Sequence, residues 1–425
     1  MIDTTIEIAL TAFVTLILAA QLIALRFKLP YTLVLVFLGI AITTLSTVVI
    51  GFGLIGQTLR FSISWINSIY STLVNTGLFV GLIVPPLIFE GMIHIKSKEL
   101  KVTLRPALVL ATLGVVLSTI IAGILVWKIV GFSLISALLF AAIVAPTDTI
   151  TILQIFKQVN VPSRLSTLMD LEAGFNDATA IVLFSILISS AGLGAVSILY
   201  GFEFFLYNFF GGVLIGFIIA IAAGWMHKRI DDKLADVILT IAAVYGSYVL
   251  ATGIGASGLI SVVIVGLYFG NSTLKYSISK ETKQSIISFW EIAAFIGNAV
   301  AFLLIGFETN LALFYGAITV ILVAYAATII ARILTIYPTF AIFKRFNKEM
   351  STKWSHIATI GGVRGALSIA LLATLASANI VSPSDLSIIT SMVLGVVFIS
   401  IIVQVPILSR YSLRTFGRRP SQATA

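Results

Sequence analysis

Two short stretches, Ala145-Pro146-Thr147-Asp148 and Glu172-Ala173-Gly174-Phe175-Asn176-Asp177, place carboxylates inside long apolar runs. An ionised side chain buried in such a run costs about 2.5–3.5 kcal/mol on insertion scales. A chain tolerates this only where the charge faces a counter-ion, a bound ion or a water-filled path. Clustered acids of this kind therefore mark groups that bind protons or cations. Pro146 bars a regular helix and frees a backbone carbonyl one turn earlier. Asp148, the Thr147 hydroxyl and the freed carbonyls then form a set of hard oxygen ligands, suited to a small monovalent cation such as Na⁺ or Li⁺.

The second stretch divides its polar groups between two faces. Glu172 and Asn176 are four apart and share a face, whereas Asp177 lies about 100° further round the helix. The two acids are expected to play different roles. Asp170, seven residues before Asp177, reads as a lure for cations or as an interfacial acid favoured by the start of its helix. Glu90 follows Pro85-Pro86-Leu87-Ile88-Phe89 in a kinked segment, where a structural ion pair and a share in the ion site both stay open. Glu291, in Phe289-Trp290-Glu291, reads as structural. Arg332 and Arg364 are the cations inside apolar segments, and either could pair with Glu172. Five acids (Glu90, Asp148, Glu172, Asp177 and Glu291) face these two cations. They cannot all pair, so some must be protonated or hold an imported cation.

The elements that position these groups must be membrane helices. Hydrophobic residues make up 59% of the 425-residue chain and charged residues only 10%, too few to solvate a soluble surface of this size. Spans of about 20 apolar residues can be placed at 5–25, 31–50, 77–95, 105–127, 134–156, 164–189, 202–226, 234–252, 257–271, 285–307, 310–340, 355–378 and 386–408. This predicts an all-α polytopic membrane protein of about thirteen transmembrane helices, with a single membrane domain over 1–408 and a short basic tail over 409–425. The tail is expected to hold about one turn of helix. Gly51 to Asn75 is amphipathic and is expected on the outer interface. The N-terminus lacks a basic n-region, so the first run is read as a span and not as a signal peptide.

Alternate connections test the count. One set holds 22 of the 26 Lys and Arg residues, and the opposite set holds only Arg60 and Lys128. By the positive-inside rule the N-terminus lies outside and the C-terminus in the cytoplasm of a cell-membrane protein. The net charge of +9 is then a topology signal facing anionic lipid, and a nucleic-acid partner need not be invoked. There is no cysteine, and His94, His227 and His356 have no metal-ligand spacing; all three are read as interfacial. No nucleophile–base pair, metal motif or nucleotide loop points to an enzyme, and no cofactor is expected.

The fifth segment is interrupted at Pro146 and the twelfth at Gly361-Gly362-Val363-Arg364-Gly365. They are seven segments apart, an odd offset, so they cross in opposite senses, as an inverted-topology repeat requires. Paired breaks of this kind are the best sequence pointer to a midplane site in a secondary transporter.

These residues, with Pro85-Pro86-Leu87-Ile88-Phe89-Glu90, Ala145-Pro146-Thr147-Asp148, Glu172-x-x-x-Asn176-Asp177, Phe289-Trp290-Glu291 and the glycine-rich break in the same order, resemble NhaP-type sodium/proton antiporters of the first monovalent cation/proton antiporter family. The resemblance implies a homodimer, each protomer having a dimerisation part and a moving six-helix core (about 105–189 and 310–408). It implies that Asp177 is the principal ion carboxylate, that Asp148, Thr147 and Glu90 contribute, and that Glu172 forms a structural ion pair with an arginine. Many relatives have Ser where this chain has Ala173, so a water or a backbone oxygen must stand in, or the site is weaker for cations. The expected function is electroneutral exchange of Na⁺ (or Li⁺) for H⁺ by alternating access. Asn176 replaces an additional acid found in electrogenic relatives. A K⁺/H⁺ antiporter of the same fold is the alternative, followed by a sodium-coupled solute symporter; a channel fits one compact acid cluster poorly.

Overall fold

A computed structural model describes residues 2–27, 29–51, 79–193, 198–230, 232–274, 279–308, 311–345 and 349–417. Among them every regular element is helical. The helices are α1 (Ile2–Phe27), α2 (Tyr31–Gly51), α3 (Val84–Ile93), α4 (Ser97–Val130), α5 (Leu134–Ile143), α6 (Thr149–Gln158), α7 (Ser163–Leu193) and α8 (Ile198–His227). They continue with α9 (Lys233–Gly253), α10 (Gly258–Tyr268), α11 (Lys280–Glu308), α12 (Leu311–Phe343), α13 (Thr352–Ile360), α14 (Ala366–Ala378) and α15 (Pro383–Phe416). Each predicted segment falls on helix within the described residues. The amphipathic stretch from Gly51 to Asn75 lies almost wholly outside them. Seven described helices (α4, α7, α8, α9, α11, α12 and α15) are long and apolar enough to cross a membrane, taken over their described residues.

The two expected interruptions are real. Residues 144–148 separate α5 from α6, and residues 361–365 separate α13 from α14. The fifteen helices fall into two packing groups. In the first, α2, α3 and α9 pack on α11, and α10 packs on α3, α8 and α9. In the second, α4 packs on α5, α7 and α12, and α12 on α13 and α15. Contact between the groups is sparser and runs mainly through α7 against α3, α8 and α10, and through α14 against α11. We call the first group the scaffold and the second the core.

Small residues allow the closest crossings. A Cβ on Gly39 of α2 would stand 2.7 Å from the Gly306 Cα of α11, so any larger residue would separate these helices. Two local details differ from expectation. The helix at the C-terminal end continues past Leu408 for about two turns where one was expected: α15 runs to Phe416, because Val405, Leu408 and Ser412 form one buried stripe while Arg410 and Arg414 stay exposed. The Asn160 N–H donates to the Gly417 carbonyl at 3.1 Å, which ties this end to the turn after α6. His227 is not interfacial but buried, hydrogen-bonded through Nδ1 to the Asp236 carboxylate.

Candidate functional site

The breaks hold the site because they cross each other. The Asp148 N–H donates to the Val363 carbonyl at 2.8 Å. Gly365 lies against the same residue: a Cβ there would be 2.6 Å from the Asp148 Cβ. Asp148 precedes α6, and one of its carboxylate oxygens accepts from the Thr151 hydroxyl. The donor end of α6 therefore faces the carboxylate, the favourable sense for an anion.

Each break also leaves carbonyls without helical partners at the end of its first half, and each set meets an arginine. Arg364 donates through Nη1 to the carbonyls of Ala145 (2.6 Å) and Pro146 (3.2 Å), at the end of α5. Arg332 donates through Nε and Nη2 to the Ala358 carbonyl of α13, at 3.1 and 2.9 Å. Arg364 is itself fixed by its backbone N–H, which donates to Ser400 Oγ at 3.1 Å. Ser400 opens a π turn within α15, a distortion often found where a helix serves a site.

The structure also chooses between the arginines for Glu172. Arg332 takes it, with Nη1 at 3.0 Å from Oε1 and Nη2 at 3.4 Å from Oε2. Glu172 is 3% exposed and Arg332 7%, so the pair is fully desolvated. Arg364, the other candidate, makes no hydrogen bond to Glu172; the freed carbonyls occupy its guanidinium instead.

With Glu172 neutralised, the remaining acids gather along one path. A chamber of about 70 Å³ is lined by Glu90, Thr147, Asp148, Asp170, Asp177 and Asn298, with Ala173 in its wall. Asn176 is buried beside them and donates through Nδ2 to Thr147 Oγ1 at 2.8 Å, so it braces the first break. A wider cavity of about 270 Å³ shares Glu90, Leu153 and Asp170 with the chamber and is also lined by His94, Ser163 and Glu291. Its lining residues Ile95 and Ser163 adjoin Lys96 and Arg164 in sequence, which puts it beside the basic face. His94 Nε2 is 3.5 Å from Glu90 Oε1, and ligand atoms of Glu90, His94 and Glu291 lie within 4.8 Å of one another. Glu291, read from sequence as structural, is exposed at this mouth.

The crossed breaks belong to a known architecture. The fold matches the sodium proton antiporter MjNhaP1 from Methanocaldococcus jannaschii, with a TM-score of 0.75 over 96% of this chain and 99% of that one. Identity to it is 20%, so that likeness speaks for the fold alone. The sequence itself matches the family described as "Sodium/hydrogen exchanger, transmembrane" over residues 9–413. The chain belongs to this family.

Among relatives of this chain, the Na(+)/H(+) antiporter NhaS2 of Synechocystis sp. is 32% identical over 361 residues, covering 84% of this chain and 62% of the relative. The Na(+)/H(+) antiporter NhaP of Pseudomonas aeruginosa is 33% identical over 301 residues, covering 68% of this chain and 71% of the relative. The chain thus spans about 62% of the length of NhaS2, and the same share of ApNhaP from Aphanothece halophytica. Sequence reading missed four groups of this candidate site: Asn298, Thr151, Ser400 and the Ala358 carbonyl. Only Asn298 carried a readable signal, an amide in the middle of an otherwise apolar stretch.

Proposed function

We propose that this chain exchanges Na⁺ or Li⁺ for H⁺ across the cell membrane by alternating access, with proton and cation competing for Asp177 and Asp148. One observation carries the reading: Glu172 is taken by Arg332, while Asp148, Asp177 and Glu90 line one small chamber together with Thr147. Carboxylates gathered in such a place suit a mobile cation, or a proton. The Thr147 hydroxyl and the carboxylates offer hard oxygen ligands, and Ala173 leaves one position to water. Asp170 and Glu291 would draw cations into the funnel.

The core would be the moving part, since its contacts with the scaffold are sparse and the arginines clamp both breaks within it. It would comprise about 105–189 and 310–408, the stretches that carry α4 to α7 and α12 to α15. We place the basic face and the C-terminus in the cytoplasm, with some thirteen spans and the N-terminus outside, and we expect a homodimer in the membrane formed through the scaffold. The chamber size argues against symport of an organic solute. About 70 Å³ holds a few waters or a partly dehydrated ion, against roughly 300–1,000 Å³ for small-molecule pockets.

The test is proton flux in proteoliposomes holding a pH-sensitive dye, with Na⁺, Li⁺ or K⁺ added and no organic solute. Na⁺ and Li⁺ are expected to drive proton movement with K⁺ much weaker. K⁺ equal to Na⁺ would favour the potassium antiporter, and no flux with any of the three would sink antiport.

A further inference from the structure

Asn298 stands in α11, a scaffold helix, and is 2% exposed. It lines the chamber with Asp148, Asp177, Thr147 and Glu90. Among the described residues its Nδ2, buried, finds no hydrogen-bond partner. Burying an amide that way is unfavourable, and the packing of α11 does not call for one. The residues around it are Ile296, Gly297, Ala299, Val300 and Ala301, all without polar side-chain atoms. Next to it, Gly297 meets α3: a Cβ there would be 3.3 Å from Ile83. An alanine or leucine at 298 would serve such a helix better. A polar group kept at an apolar position, facing a polar cavity and short of a partner, points to a partner that comes and goes.

The chemistry of the side chain says which. An uncharged amide offers a carbonyl oxygen at one end and N–H donors at the other. The oxygen can enter the shell of a hard cation. The N–H end can serve a carboxylate. Both ligand needs arise in this chamber in turn, because a cation that leaves Asp148 and Asp177 exposes their oxygens.

We propose that Asn298 is a scaffold-side ligand of the transported cation, its amide oxygen completing the shell of an ion held by Asp177 and Asp148 of the core. When the ion has left, the amide nitrogen serves the vacated carboxylates. The proposal rests on the reading of those two acids as the ion carboxylates. Thr147, Asp148 and Asp177 all belong to the core, whereas Asn298 is fixed to α2, α3 and α9 through α11. A core that carries the ion across leaves this ligand behind. The site therefore holds its cation more tightly on the basic face than on the other, by the worth of one contact.

The test uses full-length protein in proteoliposomes and measures KM and maximal rate for Na⁺ in Asn298→Ala and Asn298→Thr. Asn298→Ala is expected to raise KM for Na⁺ about tenfold, as the loss of one hydrogen-bond-strength contact to a charge would do. Asn298→Thr keeps a hydroxyl oxygen and is expected to recover part of the affinity. Unchanged KM in Asn298→Ala, or a loss of rate at unchanged KM, overturns the proposal. If Asn298→Ala does not fold, Asn298→Asp decides, since it conserves shape: KM for Na⁺ changes severalfold if residue 298 touches the ion and stays put if it does not. Asp177→Asn run alongside separates the two failures. Exchange surviving in Asp177→Asn defeats the site reading itself; a dead Asp177→Asn beside an unchanged Asn298→Ala defeats only the role of Asn298.

Discussion

The backbone N–H of Asp148 donates to the carbonyl of Val363 at 2.8 Å, and this bond joins the two helix breaks at the point where they cross. A carboxylate of the ion chamber is thereby held by the partner break as well as by its own. Arg364 reaches from the second break to the carbonyls of the first, so the two breaks can only move together.

That crossing is tight enough to test by adding one carbon. Gly365→Ala places a Cβ 2.6 Å from the Asp148 Cβ, closer than real side chains pack. We expect a cost of about 1–3 kcal/mol, the usual range for overpacking, together with a loss of exchange out of proportion to it. Thermal melts in detergent with flux on the same preparation check this. Full exchange at wild-type stability would mean that the breaks do not need to touch.

Glu172 and Arg332 are predicted to serve stability and not ion binding. Removing one partner of a buried pair strands the other and typically costs about 3–5 kcal/mol. Glu172→Ala should therefore melt well below wild type and below Asp177→Ala. Glu172→Ala that melts normally and yet loses cation binding would reverse the assignment.

The two arginines should be distinguishable in double-mutant cycles. Glu172→Ala and Arg332→Ala share one bidentate contact, so their effects on melting should be strongly non-additive. Arg364→Ala strands the Ala145 and Pro146 carbonyls instead, at about 1–3 kcal/mol for the unsatisfied groups, and should couple to Glu172 much more weakly. Equal coupling energies would show that Arg364 shares the Glu172 charge.

Exchange should be indifferent to membrane potential. Asn176 braces Thr147 and cannot release a proton, which leaves Asp177 as the ionisable member of that pair. If one proton is displaced per cation, the loaded core carries the same charge in both directions. A potential worth about 2.3 kcal/mol per elementary charge at 100 mV then has no net charge to act on. Flux at potentials clamped with potassium and valinomycin should stay flat. A steep dependence, with current in the direction of proton excess, would assign a second proton to Asp148 or Glu90.

Much of this architecture was readable in the residues. Apolar length alone located the helices, and Pro146 and the Gly361–Gly365 run marked both breaks, because a missing N–H or Cβ acts locally. What sequence could not resolve were choices made by three-dimensional packing. Arg332 and Arg364 are alike as sequence features, and only the crossing shows that Arg364 is taken up by the carbonyls of Ala145 and Pro146 at the first break. Glu291 looked structural because its neighbours Phe289 and Trp290 are apolar, but its own position faces the funnel mouth. His227 sits beside Lys228 and so read as interfacial. Its partner Asp236 lies nine residues on, across a turn that folds the pair inward.

The most direct measurement is sodium-driven proton flux by wild type and Asp177→Asn, reconstituted together and shown by melting to be equally folded. Wild type should acidify or alkalinise the lumen according to the sodium gradient, and Asp177→Asn should fall to the level of empty liposomes at every sodium concentration. Substantial sodium-dependent flux in well-folded Asp177→Asn would contradict competition of proton and cation for that carboxylate.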